Sequence, residues 1–106
     1  MRIAICDDNE IQIGIFMHRI NNFLKRNGDI KALITPYDKG QPLIDDVADG
    51  EWYDIVVLDI VLREENGIEV AKELRLNGYD GNIIFWTAHK EYVFEALDLL
   101  PIHYII

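Results

Sequence analysis

The sequence predicts an α/β fold, a doubly wound parallel sheet of five strands with helices on both faces. Three features carry that expectation. Short apolar runs alternate with segments of helical period, in units of about 25–30 residues, as parallel strands joined by crossover helices require. The connections between them are short. The run Asp54–Asp59, DIVVLD, shows no polar alternation, the mark of a strand covered on both faces.

Each element has a local reason. Arg2–Cys6, RIAIC, is an apolar run ending at acids and reads as the first strand. Asn9–Asn27 follows as a helix with Ile13, Phe16, Ile20 and Phe23 at three- and four-residue steps. Asp8 or Asn9 caps its start and Gly28 supplies a left-handed stop. Ile30–Tyr37 is the second strand, and Pro36 near its end suits an edge, where a missing N–H is tolerated. Lys39–Asp49 is a helix with Leu43, Ile44 and Val47 on one side. Asp54–Asp59 is the third strand, and the polar loop Arg63–Gly67 follows it. Ile68–Asn77 is the third helix, stopped by Gly78. Asn82–Trp86 is the fourth strand, His89–Leu100 a fourth helix ended by Pro101, and Ile102–Ile106 the fifth strand.

Composition sets bounds on function. The 106 residues suffice for one domain, and half of them are hydrophobic, enough for a core. One cysteine forms no internal disulfide, so a disulfide-stapled secreted scaffold is excluded. The start MRIAICDDNE lacks the apolar region of a signal peptide, and no run is long enough to span a membrane. A net charge of −9 argues against direct nucleic-acid binding by this chain, which needs clustered Lys and Arg. A cytoplasmic domain is the expectation.

In a parallel α/β sheet, ligands bind beyond the carboxyl ends of the strands. Asp7 and Asp8 follow the first strand and Asp59 the third. If those strands are neighbours, the three acids share one crevice. Two carboxylates about 4 Å apart repel by roughly 4 kcal/mol at an effective dielectric of 20, so such a cluster raises a pKa or holds a cation. An all-oxygen set favours Mg²⁺ or Ca²⁺ over zinc, and Mg²⁺ suits a site that meets a phosphoryl group. Asp7 and Asp8 taken alone read equally well as caps or solvated acids. Asp59 stands between apolar residues and should be half-buried, which is costly without a partner. Thr87, directly after the fourth strand, reads either as a donor to a phosphoryl oxygen or as a helix cap. Tyr104 in the fifth strand reads by itself as an ordinary sheet aromatic.

Taken together, the pattern resembles the receiver domain of two-component response regulators. The residues that carry it are Asp7-Asp8, Asp59 after DIVVL, Gly67 eight residues beyond it, Thr87-Ala88 after the fourth strand, and Tyr104. They fall in order along the whole chain. The segment TAHKEYVFEALDLLPIHYII is similar to the LytTR-type (LytR/AlgR-like) subgroup, in which a LytTR DNA-binding domain usually follows the receiver. The resemblance implies a flavodoxin-like (CheY-like) sheet in the order 2-1-3-4-5. It implies that Asp59 is the phosphoacceptor for a sensor histidine kinase, and that the chain is a signalling domain rather than an enzyme. Mg²⁺ would be bound by Asp8 directly, by Asp7 mainly through water, by Asp59 and by the backbone carbonyl of Val61. Thr87 would hydrogen-bond the aspartyl phosphate, and Tyr104 would change rotamer as that happens.

Two departures from the family pattern stand out. Arg63 occupies a position that often holds Pro, and Glu64 and Glu65 follow it. The family's Lys, three residues after the switch aromatic, would fall just past Ile106, and the last helix is missing. The expectation is a receiver domain over residues 1–106, cut short from a longer regulator with a downstream DNA-binding domain. Its uncovered strand 5 region is expected to pair into a homodimer.

Rival readings are weaker. A haloacid-dehalogenase-type phosphatase needs a second Asp two residues after the first, where Val61 stands. A receiver-like interaction module independent of phosphorylation is the alternative, opposed by the intact acids. Cys6, Trp52 and Trp86 read as packing residues and His18 as surface. Asp38, Asp45, Asp46, Asp49, Glu51 and Asp54 read mostly as a solvated acidic face.

Overall fold

The computed structural model describes residues 1–28, 31–62 and 65–86 in full, and 102–105 as backbone. The strands are β1 (Arg2–Cys6), β2 (Leu33–Tyr37), β3 (Ile55–Leu58), β4 (Asn82–Trp86) and β5 (Ile102–Ile105). The helices are α1 (Glu10–Arg26), α2 (Gly40–Ala48) and α3 (Gly67–Leu76). All strand pairs are parallel and the order is β2-β1-β3-β4-β5, the order that the resemblance implies.

The side-chain alternation of β1 and β3 divides the core into two layers. Ile3 and Ile5 of β1 and Val57 of β3 point to α1, where Ile13 and Phe16 cover them. Ala4 and Cys6 of β1 and Val56 and Leu58 of β3 point the other way, onto Leu43 and Val47 of α2 and Ile68, Ala71 and Leu74 of α3. Each of these two strands is therefore buried on both faces, as its unbroken apolar run required. The strand order reverses at β1, which puts the switch point of the sheet between β1 and β3.

Several boundaries differ from the sequence reading. β2 begins at Leu33 rather than Ile30. β3 covers only Ile55–Leu58, because Asp54 turns its carboxylate to the Arg2 amide (2.7 Å) and the chain bends into the next loop after Asp59. In α1, Phe23 is 61% exposed and Leu24 is buried instead. A 3.6-residue helix carries the apolar face from Ile20 to the fourth residue on, not the third. Ile30, the helix expected over His89–Leu100, and Ile106 lie outside the described residues. No described helix is long and apolar enough to cross a membrane.

Candidate functional site

The register of β1 and β3 builds the site. Cys6 pairs with Leu58, so the next residues, Asp7 and Asp59, stand side by side. Each is held by one more ladder bond: the Asp7 amide donates to the Tyr37 carbonyl (3.0 Å) and the Asp59 amide to the Cys6 carbonyl (3.0 Å). By the period of two, both side chains point to the α1 side. A small cleft there is lined by Ile5, Cys6, Asp7, Gln12, Phe16, Val57, Asp59 and Trp86. Asp8 completes the group: one carboxylate oxygen of each of Asp7, Asp8 and Asp59 lies within 4.8 Å of the others.

Burial differs among the three. Asp7 is 9% exposed, whereas Asp8 and Asp59 are half-buried. Burial pushes the Asp7 carboxyl above its ordinary value, and the Asp8 carboxylate adds to the rise. The Asn9 amide, donating to Asp7 Oδ1 at 2.9 Å, pulls the other way. The same neighbourhood raises the Cys6 thiol to about 12, chiefly through burial and then through Glu65 and Asp7. Cys6 is therefore a packing residue and not a thiolate.

The loop after Asp59 is closed tightly. The Val61 amide donates to Asp59 Oδ1 (3.1 Å), which fixes the carboxylate from its own loop. The Gly67 amide donates to the Ile60 carbonyl (2.6 Å) and the Leu62 amide to the Glu65 carbonyl (3.2 Å). Val61 and Asn66 form an isolated antiparallel bridge. Gly67 sits against this turn: a Cβ there would lie 2.0 Å from the Asp59 carbonyl oxygen. Close backbone approach, not a positive φ, demands glycine at Gly67. Asn66 caps α3 through its side chain (2.8 Å to the Ile68 amide), and Asn9 caps α1 in the same way.

The structure thus brings Asp7, Asp8 and Asp59 together, with Val61 adjoining. Thr87 lies outside the described residues, as do Arg63 and Glu64. Tyr104 of β5 is described in its backbone alone, where it pairs with Phe85 of β4. Trp86 packs as expected, its ring meeting Phe16 edge-on at 5.0 Å, and it also borders the cleft. Trp52 is 44% exposed and tilts against Tyr79, ring centroids 5.3 Å apart. The acidic face is solvated as expected except at Asp46, which is half-buried and accepts from the Tyr37 hydroxyl (2.6 Å).

Sequence reasoning missed Gln12, Glu65 and the Asn66 cap. The cap was legible as an Asn just before an apolar period. Gln12 and Glu65 owe their places to packing between elements and leave no local signal.

The sheet is thus five-stranded and doubly wound, with three acids gathered at its switch point. The response regulator receiver domain family matches residues 3–105, and the chain belongs to that family. The sensory transduction protein LytR of Staphylococcus saprophyticus is 31% identical over 109 residues, covering all of this chain and 39% of that protein. The transcriptional regulatory protein LytR of Staphylococcus aureus is 41% identical over 54 residues, 51% of this chain and 22% of that protein. The chain thus spans well under half the length of these relatives. Among solved structures, the response regulator TrrA of Thermotoga maritima, in complex with Mg²⁺ and BeF, is 28% identical with a TM-score of 0.73, covering 99% of this chain and 84% of that one. A CheY-like receiver domain from Methylobacillus flagellatus has the same fold at 17% identity, TM-score 0.80, covering 99% and 84%.

Proposed function

We propose that residues 1–106 form the receiver unit of a longer cytoplasmic regulator, and that this unit takes a phosphoryl group from a sensor histidine kinase onto Asp59. The observation that carries the reading is the ladder-locked trio. Asp7 and Asp59 are held in register at the ends of adjacent strands, with Asp8 beside them and their oxygens within reach of one ion.

The donor set is all carboxylate, which fits a hard divalent cation. Asp7, Asp8 and Asp59 with the Val61 carbonyl would hold Mg²⁺. When bound, the ion supplies charge neutralisation for three acids and for an incoming phosphoryl group. The structure of TrrA with Mg²⁺ and BeF supports that choice of ion.

The chain's own residues do the rest. A carboxylate oxygen of Asp59 attacks phosphorus; the P–O bond forms as the P–N bond of the kinase's phosphohistidine breaks, and the imidazole leaves with the electron pair. The Val61 amide holds the other end of the nucleophile in place. The product carries about −1.5 to −2 charge where a carboxylate carried one, enough to bias a two-state element. Thr87 and Tyr104 are the residues proposed to read it. The output is a LytTR-type DNA-binding domain, in keeping with the LytR relatives. β5 ends the sheet among the described residues, and its outer edge is the proposed homodimer contact.

Intact mass after incubation with acetyl phosphate tests the reading. The expected result is a Mg²⁺-dependent gain of about 80 Da, one phosphoryl group, absent in Asp59→Asn. No gain, on this chain or on a longer one that contains it, would favour a module that works without phosphorylation. Light scattering that shows a monomer at high concentration would remove the homodimer.

A further inference from the structure

The amino end of α2 is satisfied by a residue from another loop. Lys39, at the cap position, makes no side-chain cap bond. The Gly40 amide instead donates to Glu65 Oε1 at 2.7 Å, across 25 residues of sequence. The fit is close: a Cβ on Gly40 would lie 2.4 Å from Val70 Cγ2 and 2.8 Å from the Glu65 carboxylate. The Glu65 oxygen satisfies one of the N–H groups left unpaired at the helix amino terminus.

Glu65 also belongs to the loop that holds Asp59. Its carbonyl accepts from the Leu62 amide, and the neighbouring Val61 amide donates to Asp59 Oδ1. The α2 terminus, Glu65, Leu62, Val61 and Asp59 thus form one continuous chain of bonds. We propose that Glu65 is a positioning residue: by fastening the loop to α2, it sets the orientation of the Asp59 carboxylate. The role rests on the reading of Asp59 as phosphoacceptor, but the fastening itself is observable without any phosphoryl transfer.

The chemistry of the bond makes the test selective. A glutamine keeps an oxygen acceptor at the same reach, whereas an aspartate keeps the charge and falls one methylene short. Glu65→Gln should therefore resemble the wild type, and Glu65→Ala and Glu65→Asp should resemble each other. Amide hydrogen exchange by NMR reads the fastening directly, and acetyl phosphate labelling with Mg²⁺ reads its consequence. In the Ala and Asp variants, exchange at Val61 and Leu62 should quicken and labelling of Asp59 should slow, each about tenfold, the scale of a lost supporting contact. The Gln variant should stay within about twofold of the wild type on both.

A cap that only stabilises α2 would lower the melting temperature and leave Val61 exchange and the labelling rate unchanged; that result overturns the proposal. An Asp variant that behaves as wild type while Gln fails would assign the effect to charge and overturn it too. If the wild type takes no phosphoryl group while Val61 exchange still follows the Gln-versus-Asp pattern, the phosphoacceptor reading fails and the fastening stands. Should the Ala variant fail to fold, the Asp and Gln pair decides alone.

Discussion

At the amino ends of the strands, charge meets countercharge; at their carboxyl ends, carboxylate meets carboxylate. Arg2 pairs with Glu51, lies over the Tyr53 ring at 5.1 Å and gives its amide to Asp54. Arg75 donates to the carbonyls of Tyr79 and Gly81, and the buried Tyr79 hydroxyl donates to the Tyr53 carbonyl at 2.8 Å. These contacts tie the starts of β1, β3 and β4 and the end of α3 to one another. At the other end Asp7, Asp8 and Asp59 gather with oxygens within 4.8 Å, and Asp7 is buried there at a cost to its charged form. The contrast teaches where stability was given up. Like charges collected in a half-buried crevice disfavour one another's charged forms until an opposite charge offsets them.

The sharpest break in the comparison should come from two glycines. Gly67→Ala at the acidic end forces a Cβ onto the Asp59 backbone and should cost about 3 kcal/mol, the upper range for overpacking, and abolish labelling of Asp59. Gly78→Ala at the opposite end has open space but a φ of +88°, and should cost about 1 kcal/mol with labelling intact. Denaturant unfolding and intact mass measure both.

Tyr79→Phe comes next. It strips a buried hydrogen bond and should cost about 1.5 kcal/mol near neutral pH. Burial raises the Tyr79 hydroxyl from 10.0 to about 12. The folded chain therefore keeps a proton that the unfolded chain loses. The wild type's advantage is full below pH 10 and shrinks as pH rises toward about 12. Melting curves of both proteins across that window should converge.

Asp7→Asn should do the reverse at the acidic end. Without metal it should stabilise the chain at neutral pH by on the order of 1 kcal/mol, a fraction of the like-charge repulsion. Because the folded carboxyl is raised above its ordinary 3.8, the penalty is full above the raised value and gone below 3.8, so the gain should shrink as pH falls through that window. The variant should also lose the Mg²⁺ dependence of labelling. The smallest effect is Glu51→Gln: its bridge to Arg2 is solvent-exposed, and the melting temperature should not move measurably.

The strands, the Asn9 cap and the acids at the strand ends were legible because each has a local cause. DIVVL cannot be half-solvated, Asn9 stands before an apolar period, and Asp59 interrupts an apolar run. The less legible features all depend on partners distant in sequence. Asp46 reads as a surface acid until Tyr37 reaches it.

The sequence by itself determined that β and α segments alternate, that acids follow the first and third strands, and that a glycine stands eight residues after Asp59. Those are matters of period and residue type, written within a few positions of where they act. Only the tertiary structure decided that β1 and β3 are neighbours in a register that sets Asp7 beside Asp59, and that Glu65 closes the end of α2. Strand order and cross-loop hydrogen bonds are choices among many pairings of the same segments, and they are settled when both faces of the sheet are buried at once.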